Sequence, residues 1–578
     1  MKTGKLISIA LLSLAVACSK ENVTSNQGGS DANQYMAVDI AMSVGSSTKA
    51  PSDYRDGSEA ESTVNVKNSI FLFYDAYGNF LTSGVISATE GSVDENGNLK
   101  LTTNNQSGYV EKESKAVIVL GPIRLRPALV LAVLNYDNCD ALRNLSLSDA
   151  HTQVDKREIS TEAGKFTMTN SVYVDGKNIV NATPIAASSV KETKEEALKT
   201  PVQIYVEREV AKVNMKAKDG LKQTADGKIC FETPNAESVL DGVKVSARIV
   251  VDGWAANAFN TTSYLVKDVP ASWLVTNPFA NWYDEAAKRT FWAQDPNYSG
   301  SEEYVFGRTP EDEPGTYKNV KYLSWNDAAQ NKVDSYNYMY ENTTDKASAR
   351  VNGGELANVP TILIAAHVET AKTGAAWERQ DIYKFGGLFY TDESLRNYAA
   401  EQILKGKLHW EYTTAEGSKT ASVEPKQIDA TFVANVADNS GSVKVKVAKI
   451  TAPAEGAKLM KEDNSVIESA VWAKTVEDIL NGENGFNIAK KELVCFKNGM
   501  CYYQVPIKHN QAAEDVTYGT VRNHIYELTL SKIAKIGNPV FNPDEKLVLI
   551  PGEEKNYYVS AELKVLKWRV VTQDVVIE

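Results

Sequence analysis

The sequence predicts an all-β protein made of antiparallel sandwich domains, with a few short helices decorating the strands. Apolar and polar residues alternate with period two in many short runs, and Gly, Asn and Asp separate those runs. Helical periodicity is scarce and confined to Ser189 to Leu198, Thr391 to Lys405 and Thr475 to Leu480. The chain has 578 residues, 24% charged and 43% hydrophobic, proportions that exclude wholesale disorder and suit two or three domains. A net charge of −12 excludes the positive footprint that a nucleic acid requires.

At the N-terminus, Lys2 and Lys5 precede an apolar run of twelve residues, Leu6 to Ala17. A membrane helix needs ~20, so the run reads as a secretory signal spanning residues 1–18. It ends in Ala15-Val16-Ala17-Cys18 and turns abruptly polar at Ser19, a pattern that resembles a bacterial lipobox. Cys18 is therefore the expected lipidation site, with plain signal peptidase cleavage after Ala17 as the alternative. Residues 19–55 follow as a tether and a first strand. In that strand Met36, Val38, Ile40, Met42 and Val44 alternate with Ala37, Asp39, Ala41 and Ser43. The loop Gly45 to Gly57 is small and polar, and Lys49 and Arg55 are its basic residues, the expected proteolytic processing points. A cut there makes the strand removable and leaves a sheet with an open edge, a template for pairing.

Further along, Phe71 to Tyr74 and Ala128 to Leu134 are apolar on both faces and are expected to be central strands. Val202 to Met215, Val243 to Val251, Thr361 to Val368, Val443 to Ile450 and His524 to Leu530 complete the strand pattern. A Ser189-x-x-Glu192 capping box opens the first helix, while Gly406 and Gly482 close the other two. The loop Lys199-Thr200-Pro201 divides the chain into an N-terminal sandwich, 56–200, and a longer C-terminal sandwich, 201–550. The latter carries an insertion at 254–345 dense in aromatics, among them Trp254, Trp273, Trp282, Trp292 and Trp325. These rings are expected to anchor long loops against the sandwich, the alternative being stacking on sugars.

Residues 551–578 form an end segment with a hinge at Pro551-Gly552. Here Val559, Ala561, Leu563 and Val565 alternate with polar residues, and parity then shifts to Leu566 and Trp568. The pattern matches that of the first strand, so both suit the same groove. Cys495 and Cys501 flank an Asn498-Gly499 turn. A two-residue loop puts their thiols on opposite faces, whereas a three-residue loop sets them opposite each other and permits a disulfide; both registers remain open. No hydrolase elbow, zinc helix, phosphate loop or C-x-x-C pair occurs, so no catalytic residue, metal or cofactor is expected.

Four segments in order carry a family resemblance: Val206-Glu207-Arg208-Glu209-Val210-Ala211-Lys212-Val213, Tyr338-Met339-Tyr340-Glu341-Asn342-Thr343, Val521-Arg522-Asn523-His524-Ile525-Tyr526, and Val559 to Val570 with Trp568. With the lipobox, they resemble the fimbrillins of the Bacteroidales, shaft subunits of type V pili, and particularly the minor-fimbria shaft branch. The resemblance implies two transthyretin-like sandwiches, export as a lipoprotein to the outer membrane, proteolytic removal of the first strand and polymerisation by donor-strand exchange. It also implies a homopolymer that meets anchor and tip subunits and surface receptors of host or bacterium. The family's usual cleavage follows Arg, whereas here Lys49 is the first basic residue after the strand. A monomeric glycan-binding lipoprotein and a tip or accessory subunit are the alternatives.

Overall fold

The computed structural model describes residues 34–43, 63–87, 93–94, 99–103, 110–155, 159, 165–232, 238–240, 243–276, 282–285, 288–296, 320–343, 350–351, 355–356, 359–372, 374–434, 442–487, 493–510, 517–547 and 569–577. Cys18, Val44, Lys49, Arg55 and the run Val559, Ala561, Leu563, Val565, Leu566 and Trp568 lie outside them. The fold is mainly β with a few short helices, as the alternation predicts.

Seven N-terminal strands pair in a closed cycle. Gln34–Ser43 pairs with Val110–Gly121, which pairs with Phe80–Ser87, then Ser69–Tyr74, Leu129–Leu134, Met168–Asn170 and Val202–Arg208, which returns to Gln34–Ser43. A sandwich joined at both edges leaves no edge within the ring. Its interior holds Met36, Val38, Ile40, Phe71, Phe73, Ile118, Val130, Ala132, Ile204 and Val206. Ile70, Leu72, Tyr74, Leu131 and Val133 point the other way, under Leu265 and Val266. That outer cover explains why Phe71 to Tyr74 is apolar on both faces.

The expected strand Val202 to Met215 is broken at Glu209. Val202–Arg208 belongs to the first ring, whereas Val210–Ala217 pairs with Tyr336–Tyr340 and His524–Ile533 in the second unit. By sheet membership the crossing thus falls at Glu209 rather than near residue 200. The second unit is a true two-sheet sandwich. Ala211, Val213, Met215, Tyr526 and Leu528 of one sheet face Ile249, Trp254, Ile362, Ile364 and Tyr503 of the other. At the register shift beside Val251, a Cβ on Gly253 would lie 2.4 Å from the Asn331 carbonyl oxygen, so glycine allows the helix Trp325–Ala329 to close on the sheet.

A third core was not expected. Thr361–Lys372 and Met500–Pro506 pair as the arms of a hairpin, and most of the chain between them folds as an inserted module. Its buried set runs from Tyr383 to Cys495, including Leu395, Trp410, Leu459, Val476 and Phe486. Two of the three expected helices lie here. Thr391 caps Asp392–Tyr398, which continues as a π-helix to Leu404 before Gly406, and Trp472–Asn481 ends at Gly482. The other expected helix is mostly not one: Val190–Lys191 is a strand, and Thr193, not Ser189, caps the single turn Lys194–Ala197. Ser189 is spent in a preceding 3-10 turn, and Val190 pairs with Met36.

Neither cysteine register materialises, because Lys497–Gly499 is a 3-10 turn that hands the chain from one sheet to another. Cys495 lies opposite Tyr383, whereas Cys501 lies opposite Ala366. Both thiols are free and buried, and burial pushes each up to about 12, far from the reactive thiolate.

Candidate assembly groove and the buried junction

Gln34–Ser43 is the strand that closes the N-terminal ring. All ten of its residues pair antiparallel with Val110–Gly121, and five, Val38 to Met42, pair in parallel with Val202–Arg208. Met36, Val38 and Ile40 are completely buried on the inner face. On the outer face Ala37 packs against Val117 and Ala197, so the helical turn Lys194–Ala197 covers the strand from outside. Asp39 stays at the surface, 3.5 Å from the Lys115 ammonium, and its carbonyl accepts from Gln203 Nε2 at 3.2 Å. Burying three such apolar side chains contributes roughly 5–9 kcal/mol gross. Withdrawing the strand would empty a groove floored by Phe71, Ile118, Leu134 and Ile204 and unpair the edges of Val110–Gly121 and Val202–Arg208. Three of the five positions singled out in the first strand, Met36, Val38 and Ile40, line this groove; the side chain of Met42 and all of Val44 lie outside the described residues.

The C-terminal segment is described only as Arg569–Ile577, which pairs in parallel with His524–Ile533 of the same chain, from His524 opposite Arg569 to Ile533 opposite Ile577. It is the outermost strand of its sheet, held by one ladder, whereas Gln34–Ser43 is held by two. In this state the described end of the segment expected to pair with a neighbouring copy rests on its own sandwich.

Three of the four family-like segments meet in a buried charge cluster between the two sandwiches. Glu207 lies 2.9 Å from Lys267 and 3.3 Å from Arg289, and none of these side chains reaches solvent. Lys267 also donates to the Thr290 carbonyl at 2.6 Å, and Arg289 to that of Arg522 at 3.2 Å. Arg522 pairs with Glu341 and donates to the carbonyls of Tyr264 and Leu265, at 2.8 and 3.3 Å. Arg208 donates to Asn523 Oδ1 at 3.0 Å, which ties the end of the groove-lining strand to the second sandwich. Burial works against the charge on Arg522, but Glu341, Glu209 and Glu207 overcome it and raise its pKa. Burial pulls the Lys267 ammonium down to about 8 although Glu207 opposes this. Charges this deep persist only when paired.

The aromatic insertion completes the junction. Trp273, Trp282, Phe291 and Trp292 pack with Val174 of the first unit and Val521 of the second. Ser263–Tyr264 pairs with Val154–Asp155, and Thr290 N–H donates to the Val172 carbonyl at 2.7 Å. All five tryptophans singled out there are buried, as anchoring requires. Lys267 and Arg289 escaped the sequence reading because a lone basic residue in an irregular aromatic stretch has no periodicity to mark its burial. The inserted module did leave a signal: helical pattern in the C-terminal half occurs only within it.

Among the described residues no helix is long and apolar enough to cross a membrane, and no three His, Cys, Asp or Glu side chains are placed to hold a metal. Residues 494–574 match the family model of the major fimbrial subunit protein type IV, fimbrillin, C-terminal domain. No curated protein sequence matches the chain. Among solved structures, a putative cell adhesion protein from Parabacteroides distasonis is 13% identical over 61% of this chain and 86% of its own, with a TM-score of 0.27. A fimbrial assembly protein from the same species is 10% identical over 72% of this chain and 98% of its own, at 0.24. The tip fimbrial protein Mfa3 from Porphyromonas gingivalis is 10% identical over 67% of this chain and 98% of its own, at 0.25. Scores this low carry no argument, and the family model matches residues 494–574 alone, a small part of the chain.

Proposed function

We propose, from a chain whose C-terminal end is of fimbrillin type, that it is a structural subunit of a fimbrial shaft that polymerises by donor-strand exchange. The observation that carries this reading is the placement of Gln34–Ser43 as the closing strand of the N-terminal ring. Its removal leaves two unpaired edges flanking an apolar groove, which an extended segment with matching alternation relieves. Val559, Ala561, Leu563 and Val565, followed by Leu566 and Trp568, supply that alternation in a neighbouring copy. Lipidation at Cys18 delivers the precursor to the outer membrane, and cleavage after Lys49 or Arg55 frees the groove. The buried junction supports the same reading, because a shaft subunit must carry tension from the groove in one sandwich to the donor segment leaving the other.

The test combines processing with assembly. Purified precursor is treated with a trypsin-like protease and followed by N-terminal mass and electron microscopy. Fibres are expected only after a cut at Lys49 or Arg55, and Lys49→Ala with Arg55→Ala is expected to leave monomers. Fibres from uncut chains that retain residues 34–43 would overturn the proposal.

A further inference from the structure

We propose that segment 558–565 of one copy replaces the first strand of a neighbouring copy residue for residue, and that Ser560, Glu562 and Lys564 select the register and direction. This register presupposes the strand exchange proposed above and names the contacts that would make it specific. The run Tyr35-Met36-Ala37-Val38-Asp39-Ile40-Ala41-Met42 lies in the groove of its own chain, and Tyr558-Val559-Ser560-Ala561-Glu562-Leu563-Lys564-Val565 matches it at a constant offset. The tyrosine is identical, the inner sites are apolar in both, and a small residue and then an acid follow at the same outer places.

Three features of the acceptor fix this offset. Ala37 is completely buried on the outer face, against Val117 and Ala197. Its replacement must be small, and among the outer residues Tyr558, Ser560, Glu562 and Lys564 only Ser560 is. A slip of two residues, the smallest that keeps the apolar face inward, drives Tyr558 or Glu562 under Ala197. Charge is the second feature. Asp39 lies opposite Lys115, with 3.5 Å between carboxylate and ammonium, and Ala41 lies opposite Glu113; Lys115 and Glu113 are both exposed. In the matched register Glu562 faces Lys115 and Lys564 faces Glu113, two cross-strand pairs of opposite charge. Ala41 is 2% exposed, so the methylene stem of Lys564 runs along the strand and its ammonium emerges beside Glu113. A reversed donor with Ser560 under Ala197 loses both pairs and carries Val565 past the end of the strand. The third feature is an irregularity. The ladder from Tyr35 to Met42 is unbroken and then skips Glu111, so that Ser43 faces Val110. The extra residue belongs to Val110–Gly121 and stays when the first strand leaves. The donor changes parity at that same place, because Val565 takes the position of Met42 and apolar Leu566 follows directly.

The experiment uses full-length chains that are processed, polymerised and mildly oxidised. Each carries Lys115→Cys together with Ser560→Cys, Glu562→Cys or Lys564→Cys, and non-reducing gels read the cross-links between copies. A ladder of linked subunits is expected with Glu562→Cys alone, because residues two places away lie beyond disulfide reach. Fibre growth rates give an independent reading. Glu562→Lys is expected to slow growth about fivefold, and adding Lys115→Glu to restore it. Ser560→Ala is expected to grow normally and Ser560→Trp not at all. Fibres linked through Ser560→Cys or Lys564→Cys instead, fibres linked through none of the three, growth not restored by Lys115→Glu, or normal growth of Ser560→Trp would each overturn the register while leaving strand exchange standing. Processed chains of unaltered sequence that form no fibres would overturn both.

Discussion

Glu341 and Arg522 show how much of this molecule depends on single buried charges. The pair is closed from solvent and each side chain comes from a different family-like segment. Removing one partner strands the other, a cost of about 3–5 kcal/mol for buried pairs. Glu341→Gln is therefore expected to lower the unfolding free energy by that amount in urea titrations, whereas an exposed pair such as Lys474–Asp478 changed to alanine is expected to shift it by less than about 1 kcal/mol. His151 gives a pH-dependent counterpart. It ends the helix Leu147–His151, and burial pulls its pKa from 6.5 to about 4 while a backbone hydrogen bond at Asn181 opposes this. The unfolded chain binds the proton below pH 6.5 and the folded chain only below about 4, so stability is lost as the pH falls through that window. The loss reaches at most about 3 kcal/mol. Stability measured from pH 7 to 4 is expected to fall less steeply in His151→Gln.

At the scale of elements, the aromatic insertion acts as a strap that binds the two sandwiches from outside. Trp273 and Trp282 meet edge to face with centroids 5.9 Å apart, and Trp292 meets His509 in the same manner at 4.8 Å. Trp282 is almost fully buried, so Trp282→Ala is expected to cost about 3–5 kcal/mol and lower the melting temperature. Unchanged melting with loss of glycan binding would instead favour stacking on sugars at this place. The contrast between the two terminal strands is also an element-scale matter. Gln34–Ser43 has partners on both sides and a covered outer face, whereas Arg569–Ile577 has a partner on one side. In the proposed mechanism the first is freed by proteolysis, whereas the second leaves by breaking one ladder.

For the whole molecule, the two sandwiches repeat one local pattern. In each, the first strand runs parallel to a strand from much later in the chain and antiparallel to another, as Gln34–Ser43 does beside Val202–Arg208 and Val110–Gly121, and as Val210–Ala217 does beside His524–Ile533 and Tyr336–Tyr340. Assembly polarity follows in the proposed mechanism: the groove opens at the N-terminal sandwich and the donor leaves from the C-terminal one. Deleting residues 559–578 is expected to leave a soluble, folded chain, by circular dichroism and size exclusion, that accepts a donor but offers none. Normal fibres from that truncation would contradict the mechanism.

Periodicity alone determined the fold class, most strand positions and the inward parity of Met36, Val38 and Ile40, because alternation is a local record of which face meets water. Helical period with the closing Gly406 likewise located the helix that starts after Thr391. The interruption at Glu209 shows in the sequence only as a change of parity, from Val202, Ile204 and Val206 to Ala211, Val213 and Met215, and the charged residues Glu207 to Glu209 between them conceal it because all three are buried. The role of Glu207, Glu341 and Arg522 was equally hidden: their sequence neighbourhoods mark a resemblance, but a charge declares its burial only through partners that lie far away along the chain. The separation of Cys495 from Cys501 depended on a 3-10 turn whose two flanks pair with different strands. Only the tertiary structure decides such matters, because local pattern fixes which face of a strand is apolar, whereas the sheet that satisfies its backbone is chosen by long-range pairing.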